Sequence, residues 1–191
     1  MKIKITCFAV MLFLSFIISY SGFAFCVLLA VLIHELGHIF TARYLNISLS
    51  ECKIDIFGAS LCPAAYNFSY KDEILLCISG PVSNLLTLLP FIPFALVFKH
   101  DLSIYFATAS LTLALLNLLP ISGFDGGRIF YALVCILSDP DTANTVISVV
   151  SFFCILVLWL ISVYLLLIAR SNLSLFVFSV SLFIKIFIKE N

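Results

Sequence analysis

The chain has 191 residues, of which 63% are hydrophobic and only 10% are charged. Soluble domains average about 45–50% apolar and about 25% charged residues, so this composition excludes an ordinary soluble protein and indicates that the lipid bilayer is its solvent. Ten basic side chains balance ten acidic ones. The chain therefore lacks the basic excess that nucleic-acid binding requires, and nucleic acid is not expected as a partner.

Six apolar runs read as membrane crossings, because each approaches the length needed to span a hydrocarbon core of about 30 Å. They lie at Ile5–Tyr20, Phe23–Tyr44, Ile74–Phe98, Ser103–Leu119, Thr145–Ala169 and Ser174–Phe187. The first run also fits a secretory signal cleaved after Ala24, but it is long for a signal and other spans follow, which favours an uncleaved span. The sequence predicts one all-α, multi-pass membrane domain over residues 1–191.

The distribution of Lys and Arg between the loops predicts the orientation of these spans. With the N-terminus in the cytosol, the external side holds only Lys99 and Arg170. The cytosolic side then holds Lys2, Lys4, Arg43, Lys53, Lys71, Arg128, Lys185 and Lys189. Both termini are therefore predicted to be cytosolic.

A polar insert from Leu45 to Glu73 separates the second and third spans. Alternation at residues 47–50 and 53–56 predicts short strands, and Gly58 and Pro63 mark turns. The seven cysteines are odd in number and lie mostly in apolar runs, so no disulfide framework or cysteine metal site is expected. Cys52 and Cys62 share the insert and are predicted to be unpaired thiols.

The second span contains the pattern His34-Glu35-Leu36-Gly37-His38. Residues four apart on a helix lie on one face, so His34 and His38 can hold one metal ion together. Glu35 is one step around the helix, where it suits proton transfer from metal-bound water rather than ligation. A buried His–Glu pair that ties helices together is the alternative, but it does not explain the spacing of the two histidines.

A catalytic zinc site of this type needs a third protein ligand. The remaining histidine, His100, lies in a turn predicted to be external, and most acids lie in polar loops. Asp125 is the exception, because it follows an apolar span and is flanked by Gly123 and Gly126, which allow close backbone approach. A turn carboxylate paired with Arg128 is the alternative for Asp125.

The predicted depths bring three segments to one layer of the membrane. The spans that contain His38 and precede Asp125 both end on the cytosolic side, and the span between them begins there. Residues 80–84, which end in Asn84, consequently fall at a similar depth. An interhelical hydrogen bond is the alternative for Asn84. The active site is expected toward the cytosolic leaflet.

Together, three motifs resemble the site-2 protease family of intramembrane metalloproteases. They are the segments 34–38, Gly80-Pro81-Val82-Ser83-Asn84, and Asn117–Arg128 with its Asp125-Gly126-Gly127-Arg128 end. The resemblance covers about residues 23–130, a three-helix catalytic core, and leaves accessory helices at about 5–20, 145–169 and 174–187. The layout is most similar to the sporulation-type members.

This resemblance implies one Zn²⁺ per chain, bound by His34, His38 and Asp125. It implies that Glu35 activates the zinc-bound water and that Asn84 positions the substrate or stabilises the oxyanion. The insert at about 45–70 would be a membrane-associated β-hairpin that pairs with an unwound substrate. The partners would be a membrane-tethered protein substrate and a regulatory membrane protein.

The predicted function is hydrolysis of a peptide bond in or near a transmembrane segment, as in regulated intramembrane proteolysis. Two alternatives use the same polar cluster: a membrane metal-ion transporter and a catalytically silent adaptor. A transporter should carry further ligands along its path, and the outer halves of the spans lack acids and histidines. The ligand types alone would also accept cobalt or manganese.

Overall fold

The computed structural model describes residues 2–5, 22–47, 49–55, 58–63, 69–98, 101–169 and 173–189. The chain divides into two units, Met1–Leu118 and Leu119–Asn191. The first unit contains strand β1 (Lys2–Ile5), helix α1 (Gly22–Tyr44), strands β2 (Leu49–Asp55) and β3 (Gly58–Pro63), and helices α2 (Tyr70–Phe98) and α3 (Asp101–Asn117). The second unit contains helices α4 (Asp125–Leu137), α5 (Pro140–Ala169) and α6 (Leu173–Lys189).

The three strands form a small sheet in the order β1-β2-β3. Strand β1 runs parallel to β2, and β2 runs antiparallel to β3 with Asp55 opposite Gly58. The sequence placed its strand alternation at 47–50 and 53–56, whereas β2 runs without a break from Leu49 to Asp55. Association of this strand pair with the membrane stays a prediction.

Helix α1 buries small and polar side chains and exposes large apolar ones. Apart from Ala24, its buried residues recur every four positions, at Cys26, Ala30, His34, His38 and Ala42. The opposite side carries Leu32, which is 57% exposed, and Phe40, which is 66% exposed. Such a helix suits a lipid environment, because lipid solvates the apolar side while small residues allow close helix packing. The two histidines lie on the packed face.

The core of the first unit forms where α1 meets α3. Cys26 and Ala30 of α1 pack against Phe106 and Ala109 of α3. The Cys26 thiol also donates to the backbone carbonyl of Leu102 at 3.4 Å. The small side chains of α1 thus leave room for the aromatic ring of Phe106, and this contact fixes the position of α1 along α3.

Among the described residues, three helices are long and apolar enough to cross a membrane: Gly22–Tyr44, Tyr70–Pro93 and Pro140–Ile168. The apolar helix Asp101–Asn117 is shorter. The helical character of the predicted fold is confirmed, whereas six crossings stay a prediction. The first predicted span lies almost entirely outside the described residues, and its Ile5 belongs to β1.

Helix α4 was not predicted from the sequence, which placed Asp125 just past the end of an apolar span and began the next span at Thr145. Asp125 is the first residue of a helix of 13 residues. Gly126 and Gly127 are both buried on this helix and form part of its packed face with Ala132 and Cys135. At about 1.5 Å per residue α4 is only about 20 Å long, too short to cross the bilayer.

Helices α5 and α6 pack together through a buried polar contact. The hydroxyl oxygens of Ser162 and Ser179 lie 3.2 Å apart, and both side chains are almost fully buried. The rings of Phe152 and Phe183 add an edge-to-face contact with centroids 5.8 Å apart. In an apolar environment such a serine pair holds two helices in a defined register.

Asp139 caps the N-terminus of α5. Its carboxylate accepts hydrogen bonds from the backbone N–H of Thr142 at 2.9 Å and from the Thr142 hydroxyl at 2.7 Å. The hydroxyl of Ser138 donates a third bond at 3.1 Å. These bonds, led by the backbone bond, lower the pKa of Asp139 to about 2. Helix α5 therefore begins at Pro140, five residues before the predicted span.

We expect Asp139→Ala to lower the Tm of the detergent-solubilised protein by a few degrees at pH 7, because the helix loses its cap. The carboxyl pKa is about 3.9 in an unfolded chain. Since the folded pKa is lower, the stabilisation is complete above about pH 4 and is lost as the pH falls toward 2. Thermal unfolding across this range should show the wild type and the variant converging at acid pH.

Asp139→Asn is the matched control, because it keeps the acceptor for the Thr142 N–H without the charge. It should stay closer to the wild type than the alanine variant at pH 7. Equal Tm values for all three proteins at pH 7 would contradict a capping role.

Candidate metal centre

The two histidines of α1 converge through one nitrogen each. The Nε2 atoms of His34 and His38 lie 3.3 Å apart, and the side chains are 4% and 7% exposed. Two nitrogens bound at about 2.0–2.1 Å to one tetrahedral zinc ion are about 3.3–3.4 Å apart. This spacing fits one shared metal ion. Both histidines lie on the packed face of α1.

The His38 ring is held by a backbone carbonyl of α2. Its Nδ1 lies 2.8 Å from the carbonyl oxygen of Leu76. A carbonyl only accepts, so Nδ1 carries the proton and the lone pair is on Nε2. The Ser79 hydroxyl donates to the same carbonyl at 2.6 Å and lies 3.4 Å from Nδ1. This arrangement gives His38 the tautomer that a metal ligand bound through Nε2 requires.

Asn84 of α2 lies beside the His34 ring. Its Nδ2 is 3.4 Å from Nδ1 of His34, and the side chain is fully buried. Its Oδ1 is buried without a hydrogen-bond partner among the described residues. The sequence placed Asn84 at the depth of the histidines, with a role toward the substrate or the oxyanion or, as the alternative, an interhelical hydrogen bond. Its contact with the His34 ring joins α1 and α2, and its catalytic role stays a prediction. The sequence analysis did not identify Ser79 or the Leu76 carbonyl as neighbours of His38.

Helices α1 and α2 come close because glycines face the contact. A Cβ atom on Gly37 would lie 2.6 Å from the backbone oxygen of Ser79. The Ser83 hydroxyl donates to the carbonyl of Ile33 at 2.9 Å, which adds a bond between the helices. Gly80 lies behind the histidine rings, where a Cβ would be 2.4 Å from Nε2 of His38. Any side chain at position 80 would occupy the space around the converging nitrogens.

Glu35 follows His34 on α1 and is half-buried. One residue corresponds to about 100° around a helix, so its carboxylate leaves the helix on a different side from the imidazole of His34. This placement suits an acid–base group beside a metal ion better than a third ligand on the same stripe. Its catalytic role stays a prediction.

Asp125, described within the second unit, opens α4. It follows Phe124, whose backbone is extended, and it is half-buried. Asn117, in the same sequence motif, is the last residue of α3 and donates from Nδ2 to the carbonyl of Leu113 at 3.1 Å. His100 lies outside the described residues, and Asp101 is exposed at the start of α3.

We expect Gly80→Ala to weaken zinc binding by roughly tenfold or more, since the new methyl group collides with both imidazoles. Displacing His38 would break its bond to the Leu76 carbonyl as well as its approach to His34. Zinc affinity of the detergent-purified protein, measured by competition with a chelator, tests this expectation.

Gly22→Ala provides the control, because a Cβ there would meet only the flexible end of the Leu102 side chain at 2.7 Å. That variant should bind zinc as the wild type does. Wild-type zinc affinity in Gly80→Ala would show that the space behind the two rings does not matter for the metal.

Comparisons with known proteins agree on one family. Residues 98–160, which contain Asp125, match the model of peptidase family M50. Stage IV sporulation protein FB from Bacillus subtilis (strain 168) is 30% identical over 116 residues, which cover 56% of this chain and 38% of that protein. The chain therefore spans well under half the length of this curated relative.

The fold matches that of a solved structure, the site-2 protease from Methanocaldococcus jannaschii. The TM-score is 0.71 at 17% sequence identity, and the match covers 96% of this chain and 88% of that one. This similarity shows the fold, while the matched family model and the sporulation protein connect the sequence itself to the same group. These matches relate the chain to the site-2 protease family, peptidase family M50, and its long apolar helices indicate an integral membrane protein.

Proposed function

We propose that the protein is an intramembrane zinc metalloendopeptidase that hydrolyses a peptide bond in or near a transmembrane segment of a membrane-tethered protein. The observation that carries this proposal is the 3.3 Å separation of Nε2 of His34 and Nε2 of His38 on a helix that can cross a membrane. Burying two imidazoles in an apolar span costs free energy, which a functional role such as metal binding explains. Their spacing suits one metal ion.

The proposed zinc ligands are His34, His38 and Asp125. Histidine nitrogens and aspartate oxygens are both ligands that zinc accepts. Three protein ligands leave the fourth position of a tetrahedral ion for water or substrate, which is typical of catalytic zinc sites. Gly80 supports the proposal because its missing side chain leaves room beside the two rings.

A bound zinc ion would supply a Lewis acid that polarises the scissile carbonyl and acidifies water. The side chains of the protein must accept and then donate the proton. We propose that the Glu35 carboxylate takes a proton from the attacking water and then passes it to the leaving amine. The position of Glu35 supports this assignment, because it is half-buried and follows a proposed metal ligand on α1.

The substrate must present an extended segment, because a helical peptide carbonyl is already hydrogen-bonded and sterically closed. Strand β3 pairs with β2 within the described sheet, whose order leaves β3 at one edge. We propose that the β2–β3 hairpin associates with the membrane and that its edge pairs with the unwound substrate. The side chains of the substrate would then be fixed in register before the peptide bond reaches the metal.

The proposed topology has six crossings, both termini in the cytosol and the active site toward the cytosolic leaflet. The parallel pairing of β1 with β2 supports one part of it, since residues 2–5 and 51–54 then lie on the same side of the membrane. Arg43 at the end of α1 agrees with a cytosolic end for that helix. A regulatory membrane protein would act on this side.

We further propose that Asn84 acts through His34. A metal ligand bound through Nε2 carries its proton on Nδ1, and this proton needs an acceptor. The amide of Asn84 faces Nδ1 of His34, and its O and N atoms are nearly indistinguishable by shape. With the amide turned over, Oδ1 accepts this proton, which would hold the ring as the Leu76 carbonyl holds His38.

The decisive experiment compares zinc content and proteolysis in one set of variants. The wild type should purify with about one zinc per chain, and His34→Ala and Asp125→Asn should lose or weaken it, since each removes a ligand. Glu35→Gln should keep the zinc but lower cleavage of a membrane-tethered substrate by about 10³-fold or more, because the proton acceptor is gone. Inductively coupled plasma mass spectrometry and a reconstituted cleavage assay provide the two readouts.

The Glu35→Gln variant separates the proposal from its alternatives. Zinc-dependent cleavage that survives the substitution would exclude Glu35 as the base. Zinc flux through proteoliposomes without any cleavage would favour a transporter. A wild-type protein that stays metal-free after mild purification in added zinc would remove the basis for the enzyme.

The role of Asn84 is tested by two substitutions of similar size. Asn84→Leu should raise the Kd for zinc by roughly 10–100-fold, whereas Asn84→Asp, which retains an acceptor, should stay near the wild type. Ser83→Ala is the control, because it removes a contact between α1 and α2 without touching either histidine. If Asn84→Leu loses cleavage but keeps wild-type zinc affinity, Asn84 contacts the substrate rather than positioning His34.

A further inference from the structure

We propose that Ser151 of the accessory helix α5 is a positioning residue for Asp125. This inference rests on the proposed role of Asp125 as a zinc ligand. Ser151 belongs to no motif that the sequence singled out, and it lies within the long apolar helix Pro140–Ile168. It acts through the short loop 119–124 that leads into α4.

The Ser151 hydroxyl makes two hydrogen bonds to this loop. The backbone N–H of Ser122 donates to Ser151 Oγ at 2.8 Å, and Oγ donates to the carbonyl of Pro120 at 3.5 Å. Ser151 is fully buried. A loop N–H next to an apolar helix is destabilising when it loses its acceptor, so this single hydroxyl fixes the loop to α5.

The loop has little freedom to move without moving Asp125. The N–H of Phe124 donates to the carbonyl of Ile121 at 3.0 Å, and the N–H of Arg128 donates to the carbonyl of Phe124 at 3.1 Å. Gly123 takes a φ of 97°, a conformation that suits glycine. The hydrogen bonds therefore run without a gap from the anchored Ser122 region into the first turn of α4.

Gly127 adds a steric reason for the same coupling. A Cβ atom at this position would lie 2.1 Å from the backbone oxygen of Ile121. The loop backbone therefore contacts the first turn of α4 directly, two residues after Asp125. A shift of the loop away from α5 is transmitted to the carboxylate because there is no space between the loop and the helix to absorb it.

The consequence is that an accessory helix controls a ligand of the metal. Displacement of α5, whether by substrate, lipid or a membrane partner, would withdraw the Ser151 hydroxyl and release the loop. Asp125 would then lose the position that its hydrogen-bonded loop gives it. Ligand orientation by outer groups typically changes metal affinity by about 10–100-fold.

The test compares Ser151→Ala with Ser162→Ala by zinc affinity. Ser162 is the matched control, because it is also a fully buried serine of α5 but bonds to Trp159 and Ser179 instead of the loop. We expect Ser151→Ala to raise the Kd for zinc by roughly tenfold or more and Ser162→Ala to leave it unchanged. Both variants lose one buried hydroxyl, so a general loss of stability should lower both Tm values alike.

Rescue and hydrogen exchange complete the test. Ser151→Thr, which keeps the hydroxyl, should restore zinc affinity relative to Ser151→Ala. In the wild type the Ser122 amide should exchange slowly because Ser151 accepts its hydrogen. A rapidly exchanging Ser122 amide overturns the proposal even if Ser151→Ala cannot be purified. Equal zinc affinities in the two alanine variants overturn it as well.

Asp125→Asn, measured in parallel, separates this inference from the proposed function. If Asp125→Asn loses zinc and Ser151→Ala does not, Asp125 remains a ligand and only the positioning role fails. If Asp125→Asn binds zinc as the wild type does, the ligand assignment fails and the role of Ser151 falls with it.

Discussion

The close approach of α1 and α2 is the constraint on which the candidate metal centre depends. Gly37 and Gly80 remove side chains from this contact, and the two histidines occupy the space that results. The same approach brings the Leu76 carbonyl to His38 and the Asn84 amide to His34. One helix therefore supplies the converging nitrogens while the other supplies the groups that orient them, and a wider contact would lose both.

Much of the centre could be predicted from the sequence because its signals are local. The four-residue spacing of His34 and His38 places both on one face of any helix, whatever the rest of the fold does. Their position within an apolar span favoured a functional role over a purely structural one, because ionisable groups inside a span are costly. The order of the three motifs then identified the family, which the comparisons confirm.

The remainder depended on contacts that carry no local signal. A backbone carbonyl such as that of Leu76 is present at every residue, so only the packed structure shows that it faces His38. The start of α4 at Asp125 was missed because only apolar runs long enough to cross a membrane were read as helices, and α4 is short. Close packing against Ile121 is the reason for a small residue at 127. The role of the Ser151 hydroxyl could not be predicted either, since its hydrogen-bond partner lies in a loop about thirty residues earlier in the chain.

The parallel pairing of β1 with β2 has a consequence for the order in which the protein is made. Residues 2–5 leave the ribosome first, but their partners at 51–54 follow only after α1 has been synthesised. The sheet can close only after β2 has been synthesised, so β1 lacks this partner while α1 is made. Closure of the sheet is therefore a late, long-range step of folding, because a whole apolar helix separates its paired strands in the chain.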